Sequence, residues 1–342
     1  MPDGVIPVII RIDGTGQLTG EQRSEVLLLT AAAAREDAVA PLSEQGLLSL
    51  LNAGTATRAD WHLLAYAGTH LAGYAHLERD TASTAELAVE PARRRRGVGT
   101  ALIGALEQAM IQSTPNLREE ILQIWSHGDL PGARALAARG GYAAMRELWQ
   151  MHRSLRPDRS WLPDVRLPAG FSTRHFVVGR DEEAWLRVNA AAFVNHPEQG
   201  RMTRVDLDQR IAEPWFDETG FILIEDTRGS SPRLAASHWT KAEPVDEPGI
   251  DPAVPELPEL PELPELPEGE VYVVGVDPAY QGLGLGRTVT ILGLAHLRDR
   301  GLTDAMLYVD ADNRAAVATY SRLDFTRRAV DIMYSRTVHT PV

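Results

Sequence analysis

The stretch EVYVVGVDPAYQGLGLGRT, residues 270–288, runs from an apolar segment through glycines at 282, 284 and 286 into a second apolar segment. That pattern reads as a strand, a tight turn and a helix. The first N–H groups of a helix lack intrahelical partners and lie at the positive end of its dipole, so a turn of this kind attracts phosphate. Glycines let a ligand approach those amides with no side chain between. A second stretch, EPARRRRGVGTA at 90–101, has the same form.

The two stretches are copies. Glu90, Pro91, Gly97 and Gly99 each have a counterpart 187 positions later, in Asp277, Pro278, Gly284 and Gly286. Downstream, ARGGYAAMRELWQM at 138–151 resembles SRLDFTRRAVDIMY at 321–334, now 183 positions apart, which fits one connecting loop of different length. A repeat on this scale predicts two domains of one architecture, and 342 residues suit two cores of about 150 each. The proline-bearing run RPDRSWLPDVRLPAG at 156–170 reads as a linker. The expected domains are therefore 1–155 and 170–342, joined by 156–169.

In copy one, the patterning predicts a strand at 5–12, helices at 22–38 and 44–53, and strands at 61–67, 71–79 and 83–89. A helix at 97–112, a strand at 121–126, a helix at 130–139 and a strand at 142–153 follow. Copy two predicts helices at 182–194 and 204–212, then strands at 221–226, 233–240 and 270–276. It ends with a helix at 284–300, a strand at 303–310, a helix at 313–322 and a strand at 325–336. The fold class is α/β, with a mixed sheet in each copy. An insertion at 244–269 precedes the 270–276 strand. Its run PELPELPELPELPEG, 255–269, repeats proline every third residue, the turn of a polyproline II helix. Either a solvated hairpin extension or a docking stripe fits that pattern.

Composition removes several function classes. With no cysteine, disulfides, thiolate metal sites and a cysteine nucleophile are excluded, and no metal is expected. No apolar run reaches the roughly 18 residues of a membrane span, and MPDGVIPVII carries no export signal, so a cytoplasmic protein with no membrane partner is expected. The net charge of -13 is concentrated: residues 243–270 hold ten Asp or Glu and no Lys or Arg. The quartet Arg93, Arg94, Arg95 and Arg96 lacks interleaved aromatics, and no nucleic-acid partner is expected. Lys241 is the sole lysine of the chain.

Three phosphate-binding patterns compete for the glycine turns. A Walker loop needs Lys directly after its last glycine, where Thr100 and Arg287 stand. A dinucleotide fingerprint needs a small residue where Leu102 and Arg287 stand. The third, Gln/Arg-x-x-Gly-x-Gly/Ala, fits twice, as Arg94, Gly97, Gly99 and as Gln281, Gly284, Gly286. On these residues the chain resembles the GCN5-related N-acetyltransferase (GNAT) family, as two tandem GNAT acyltransferase domains. The resemblance implies acetyl-CoA as co-substrate, a backbone N–H of the fourth strand polarising the thioester, and a tyrosine after the fifth strand protonating the leaving thiolate. It points to Glu270 as the proton acceptor and Tyr320 as the acid. Copy one has Ser83 and Ala137 at those places, so it is expected to bind cofactor and be inert. Other readings of the same residues stand: Glu270 ending the acidic insertion, Tyr320 a packed helix residue, Asn313 a helix cap.

The ordered set APLSEQ, RVNAAAFVNHPEQG, HWTK, GEVYVVGVDP and LYVDADNRAAVATYSRLDF is similar to the mycothiol synthase branch of that family, from about residue 20 to 336. That branch acetylates the cysteinyl amine of desacetylmycothiol, Cys-GlcN-Ins, a pseudo-disaccharide thiol. The resemblance implies substrate contacts at Glu44, Glu198, Lys241, Glu270 and Tyr308, with a substrate reaching both copies. It implies cofactor contacts at Leu87, Ala88, Val89, Arg95, Arg96, Gly97, Val98, Gly99 and Thr100 in copy one. In copy two they are Val274, Gly275, Val276, Gln281, Gly282, Leu283, Gly284, Leu285, Gly286 and Arg287, then Asn313, Arg314, Ala315, Ala316, Val317 and Ala318. A monomer is expected of a chain that already contains a pseudo-dimer. Acetylation of another amine, and a catalytically silent acetyl-CoA-binding module, are the alternatives.

Overall fold

The computed structural model describes residues 9–51, 60–79, 83–113, 119–158, 161–194, 196, 199–242 and 268–339. The chain divides into two compact units, Met1–Leu148 with Ala329–Val342, and Trp149–Arg328. The division does not follow the order of the chain. The segment expected to close the second domain belongs to the first unit, and residues 149–155, expected in the first domain, belong to the second.

In the first unit, strands β1 (Ile10–Thr15), β2 (Trp61–Ala67), β3 (His70–Arg79), β4 (Ser83–Val89) and β5 (Glu119–Ser126) lie side by side in chain order. The strand expected at 5–12 thus lies at 10–15, and residues 1–8 are outside the described residues. Helices α1 (Gly20–Asp37) and α2 (Glu44–Leu51) precede β2, α3 (Val98–Ser113) crosses from β4 to β5, and α4 (Pro131–Gly140) follows β5. Alternation along β2 sends Leu63 and Ala65 to the α3 face, where Leu102, Leu106 and Met110 pack. Leu64 and Tyr66 go to the opposite face, with Val26, Leu29 and Leu50. Burial on both faces explains why the strands read as nearly continuous apolar runs. The chain's last strand, β12 (Thr326–His339), completes this sheet, pairing antiparallel with β5 from Ile332 opposite Ser126 to His339 opposite Glu119.

The second unit begins within β6 (Ala143–Ser154). It continues through β7 (Phe171–His175), α5 (Glu182–Ala192), α6 (Arg204–Ile211), β8 (Phe221–Asp226), β9 (Arg233–Lys241) and β10 (Glu268–Val276). Helix α7 (Leu285–Asp299), β11 (Asp304–Asp310) and α8 (Arg314–Ser321) follow. Strand β7 has no counterpart in the sequence reading, because five residues with one apolar side chain carry little periodicity; it is fixed by pairing with β8. β10 starts two residues before its expected position because Glu268 pairs with Asp304. The rest of the insertion, 243–267, lies outside the described residues. Leu155 N donates to Thr303 O at 2.8 Å, which locks the end of β6 against the start of β11.

The two units differ most in one row across the sheet. In the second, Phe221 faces Trp239, which faces Val273, and the two rings stack at 4.5 Å. The matching row of the first unit is His62, His76 and Glu86, all buried. Glu86 accepts from Ser43 N at 3.0 Å and meets His127 Nε2 at 3.0 Å, while His127 Nδ1 meets Asp331 at 3.1 Å. Burial works against charge on His127, but the bonds to Asp331 and Glu86 outweigh it and raise its pKa to about 9. Its unfolded value is near 6.5, so the stability it contributes is complete below that pH and is lost as pH rises through about 9. The melting temperature of the protein should therefore fall between pH 7 and pH 10, and a His127→Gln variant should show a flatter profile. Equal slopes in the two proteins would refute the assignment.

Candidate active site

Parallel pairing between β10 and β11 lasts for three residues: Glu268 with Asp304, Gly269 with Ala305, and Glu270 with Met306. Beyond Glu270 the strands part. A β-bulge in β10 coincides with this point, since the register against β9 shifts between Val271 and Val273. The extra residue turns the strand over locally. Val271 packs in the α7-side core with Leu294 and Leu297, whereas Val273 packs on the other face with Trp185 and Trp239. From Val273 to Val276, β10 is laddered to β9 only, so its other edge offers main-chain groups to a ligand. In the first unit β4 and β5 also part after four pairs, Ser83 with Leu122 through Glu86 with Trp125. The β3–β4 register there is continuous, without a bulge.

The mouth of the second opening gathers three of the expected substrate residues. Glu270 and Lys241 are directly opposed on neighbouring strands. Tyr308 is two residues past Met306, so alternation places it on the same face, and it is 46% exposed. Lys241 Nζ lies 5.2 Å from the Trp215 ring centroid, a cation–π contact that sequence reasoning missed because Trp215 carries no motif. Tyr272 is fixed beside it by Arg210 Nε at 2.8 Å. Gln150 Nε2 donates to the Tyr308 hydroxyl at 3.4 Å. Glu268 is engaged by His152, and Glu270 is the last residue of β10 paired with β11, at the start of the opening. Tyr320 comes from the opposite face: it packs against the α7-side core and meets Phe325 edge-on at 5.7 Å. Burial pushes its hydroxyl up to about 12, so it holds its proton throughout the physiological range.

The glycine turns repeat in three dimensions. Glu90 (φ -49, ψ 126) and Asp277 (φ -54, ψ 129) begin short 3-10 turns, and Arg94 (φ -61, ψ 158) and Gln281 (φ -62, ψ 153) end them. Left-handed residues follow at Arg95 (φ 64) and Gly97 (φ 89), matched by Gly282 (φ 80) and Gly284 (φ 77). The first helical amides with carbonyl partners are Ala101, bonded to Gly97 O, and Thr288, bonded to Gly284 O. The amides before them are free to bind an anion. A Cβ at Gly282 or Gly284 would meet nothing within 4 Å, so their positive φ, rather than crowding, demands glycine. Arg95 holds that conformation with a side chain, at a cost of about 1–2 kcal/mol.

The anchors of the turns differ. Arg94 is a buttress: it forms a bidentate pair with Asp37 at 2.6 and 2.7 Å and donates to Val89 O. The second turn is held by buried Tyr280, whose hydroxyl donates to Asp226 at 3.1 Å. Arg95, Arg96, Thr100, Leu283 and Arg287 are exposed beside the turns. Leu87, Ala88 and Val89 end β4, and Val98 and Gly99 open α3. Val274, Gly275 and Val276 end β10, and Leu285 and Gly286 open α7. Asn313 does act as a helix cap, its Oδ1 accepting from Ala316 N at 3.1 Å, and Arg314 and Ala315 beside it are exposed, with Ala316, Val317 and Ala318 on the same helix. Glu44 begins α2 in the first unit, and Glu198 lies outside the described residues. Among the described residues no cluster of His, Asp or Glu could hold a metal ion, and no helix is long and apolar enough to cross a membrane.

The acetyltransferase (GNAT) family model matches residues 34–142 and again 253–325, once in each repeat. The chain belongs to the GNAT family. A mycothiol acetyltransferase of Thermomonospora curvata is 48% identical over 320 residues, which cover 93% of this chain and 94% of that one. A GCN5-related N-acetyltransferase from Sphaerobacter thermophilus has a TM-score of 0.70 at 20% identity over 97% of both chains. A tandem GNAT protein from the clavulanic acid biosynthesis pathway has a TM-score of 0.66 at 18% identity, covering 98% of this chain and all of its own. At such identities the two structures support the fold alone: a mixed α/β GNAT fold, repeated.

Substituting Gly284 by Val forces a β-branched residue to φ 77. Valine favours other conformations there by about 1–2 kcal/mol, so a ligand that needs the left-handed turn has to restore it, which corresponds to roughly a tenfold loss of affinity for coenzyme A. Titration calorimetry measures this directly, and an undiminished affinity would remove the turn from the binding site.

Proposed function

We propose that the chain is an N-acetyltransferase that moves the acetyl group of acetyl-CoA to the cysteinyl amine of Cys-GlcN-Ins, giving mycothiol and coenzyme A. The observation that carries this reading is the parting of β10 from β11 immediately after Glu270, in a chain 48% identical to a mycothiol acetyltransferase. The residues fit acetyl-CoA: unpaired helix amides at Gly284–Arg287 suit its diphosphate, and the unladdered edge of Val274–Val276 suits its pantetheine amides.

The bound thioester supplies an acetyl group and a leaving thiolate. Glu270 accepts a proton from the substrate ammonium, directly or through water, and frees the amine for attack. An N–H on the open edge of β10 polarises the carbonyl. As the carbon–nitrogen bond forms and the carbon–sulfur bond breaks, Tyr320 gives its proton to sulfur, and the second proton lost by the attacking nitrogen restores the phenol by way of solvent. The raised pKa of Tyr320 keeps its proton in place until the thiolate develops. Lys241 donates to hydroxyls of the pseudo-disaccharide, with Trp215 limiting the directions its ammonium can take.

The first unit keeps the turn and the opening, but has Ser83 for Glu270 and Ala137 for Tyr320. Ser83 is the counterpart of Glu270 in the sequence; in three dimensions the bulge of β10 shifts the match by one residue, so that Thr84 paired with Glu78 stands where the second unit pairs Glu270 with Lys241. These differences support a first unit that binds cofactor without turnover.

The purified protein should convert Cys-GlcN-Ins and acetyl-CoA into the N-acetylated product, followed by mass spectrometry. Turnover of an aminoglycoside or a peptide N-terminus in preference to Cys-GlcN-Ins would overturn the choice of acceptor. Tyr320→Phe should lower kcat by about 10²-fold with coenzyme A binding preserved. Lys241→Met should raise KM for Cys-GlcN-Ins by at least about tenfold and leave KM for acetyl-CoA unchanged, since a hydrogen bond from a charged donor is worth roughly 1.5–3 kcal/mol. A kcat effect alone would place Lys241 elsewhere.

A further inference from the structure

Helix α8 carries Tyr320 but has no fully buried residue of its own along Arg314–Ser321. Residues 316–320 are half-buried, with Ala316, Val317 and Tyr320 packed against the core, so burial holds the helix along one side and its ends settle the rest. The helix is held at its ends. Asn313 caps the first turn, and Tyr320 O accepts from Leu323 N at 2.9 Å and Phe325 N at 3.1 Å, with Asp324 left-handed between them at φ 64.

The tertiary clamp on that second end is Arg153. It is 4% exposed and sits on β6 among Met151 and Leu155 of the second unit's core. Its Nη1 donates to Leu323 O at 2.6 Å, and its guanidinium lies 5.9 Å from the centroid of Phe325, the ring that Tyr320 meets edge-on. A guanidinium is costly to bury unless hydrogen bonds satisfy it; here one goes to Ser154 O on its own strand and the shorter one to Leu323 O, just past the helix that bears the acid.

The first unit contains the same device 183 positions on. Arg336 Nη1 donates to Gly140 O at 3.0 Å and its guanidinium lies 5.8 Å from the Tyr142 centroid. That arginine is 41% exposed and paired with Glu107, and its helix has Ala137 where α8 has Tyr320. The buried form occurs in the unit that has a phenol to aim.

We infer that Arg153, contributed by the closing strand of the first repeat, is a positioning residue for Tyr320: it fixes the end of α8 and the Phe325 ring, and thereby the place of the acid. The inference rests on Tyr320 being the acid of the proposed reaction. It also gives the inert repeat a role in turnover separate from cofactor binding, because β6 delivers the clamp.

The test is a double-mutant cycle in the full-length protein with acetyl-CoA and Cys-GlcN-Ins. Arg153→Met should lower kcat by at least about tenfold, with both KM values within about twofold, since small misplacement of a reacting group is expensive. Arg153→Lys, which keeps a donor for Leu323 O, should recover much of that loss. In a Tyr320→Phe background, Arg153→Met should lower kcat no further, whereas a merely structural role would lower it equally in both backgrounds. Equal losses, an unchanged kcat, or both KM values rising at constant kcat would overturn the inference. Should Arg153→Met fail to fold by circular dichroism, Arg153→Lys takes its place in the cycle, and additivity with Tyr320→Phe is then the refuting result. If Tyr320→Phe alone leaves kcat intact, the assignment of the acid has failed and the inference falls with it.

Discussion

The parting of two parallel strands is the constraint on which the rest of the second unit depends. Three residue pairs hold β10 to β11, and then a bulge turns β10 so that its edge is no longer laddered. A sheet interior normally consumes every main-chain donor and acceptor, because an unpaired one buried from water is costly. An edge opened inside a sheet is therefore available to a ligand, and the side chains at its rim are placed by strand register rather than by loops. Glu270, Lys241 and Tyr308 reach one face by this register, and Tyr320 comes from the other by way of a helix end. Side chains that approach from opposite faces can address the two sides of one ligand.

The repeats share one architecture and differ in the residues beside the opening. Their turns agree in backbone conformation at four successive key positions, although one is buttressed by an Arg94–Asp37 pair and the other by Tyr280 on Asp226. What differs is the sheet row beside the opening. Aromatic rings fill it in the second unit, and a hydrogen-bonded series of imidazoles and carboxylates fills it in the first. His127, which meets Glu86 of that row, has a carboxylate on each ring nitrogen. Together Glu86 and His127 tie Ser43, at the start of α2, to Asp331 on the chain's last strand through charge-assisted bonds.

The division of the chain into compact units bears on how the domains depend on each other. β12 ends in the first unit and β6 ends in the second, and each brings an arginine that caps a helix there. Neither repeat, taken as a contiguous stretch of sequence, contains all the residues of one unit. A boundary drawn at the linker would separate Arg153 and Leu155 from the helix and strand they secure.

Most elements were legible in the sequence. Periodicity placed α3, α7 and the strands around them to within a few residues, and the doubled glycine pattern identified both turns, because helix, strand and turn are each encoded by neighbours in the chain. The same locality explains what stayed hidden. β7 is too short to carry a period, the bulge at Tyr272 has no residue signature, and Trp215 acquires meaning only from the ammonium above it. Local patterns along the chain sufficed to name its chemical groups and the two copies of one fold that carry them. Which strand completes which sheet, and which face receives each group, came only from the folded chain, since strand pairing joins residues more than two hundred positions apart that no local pattern links.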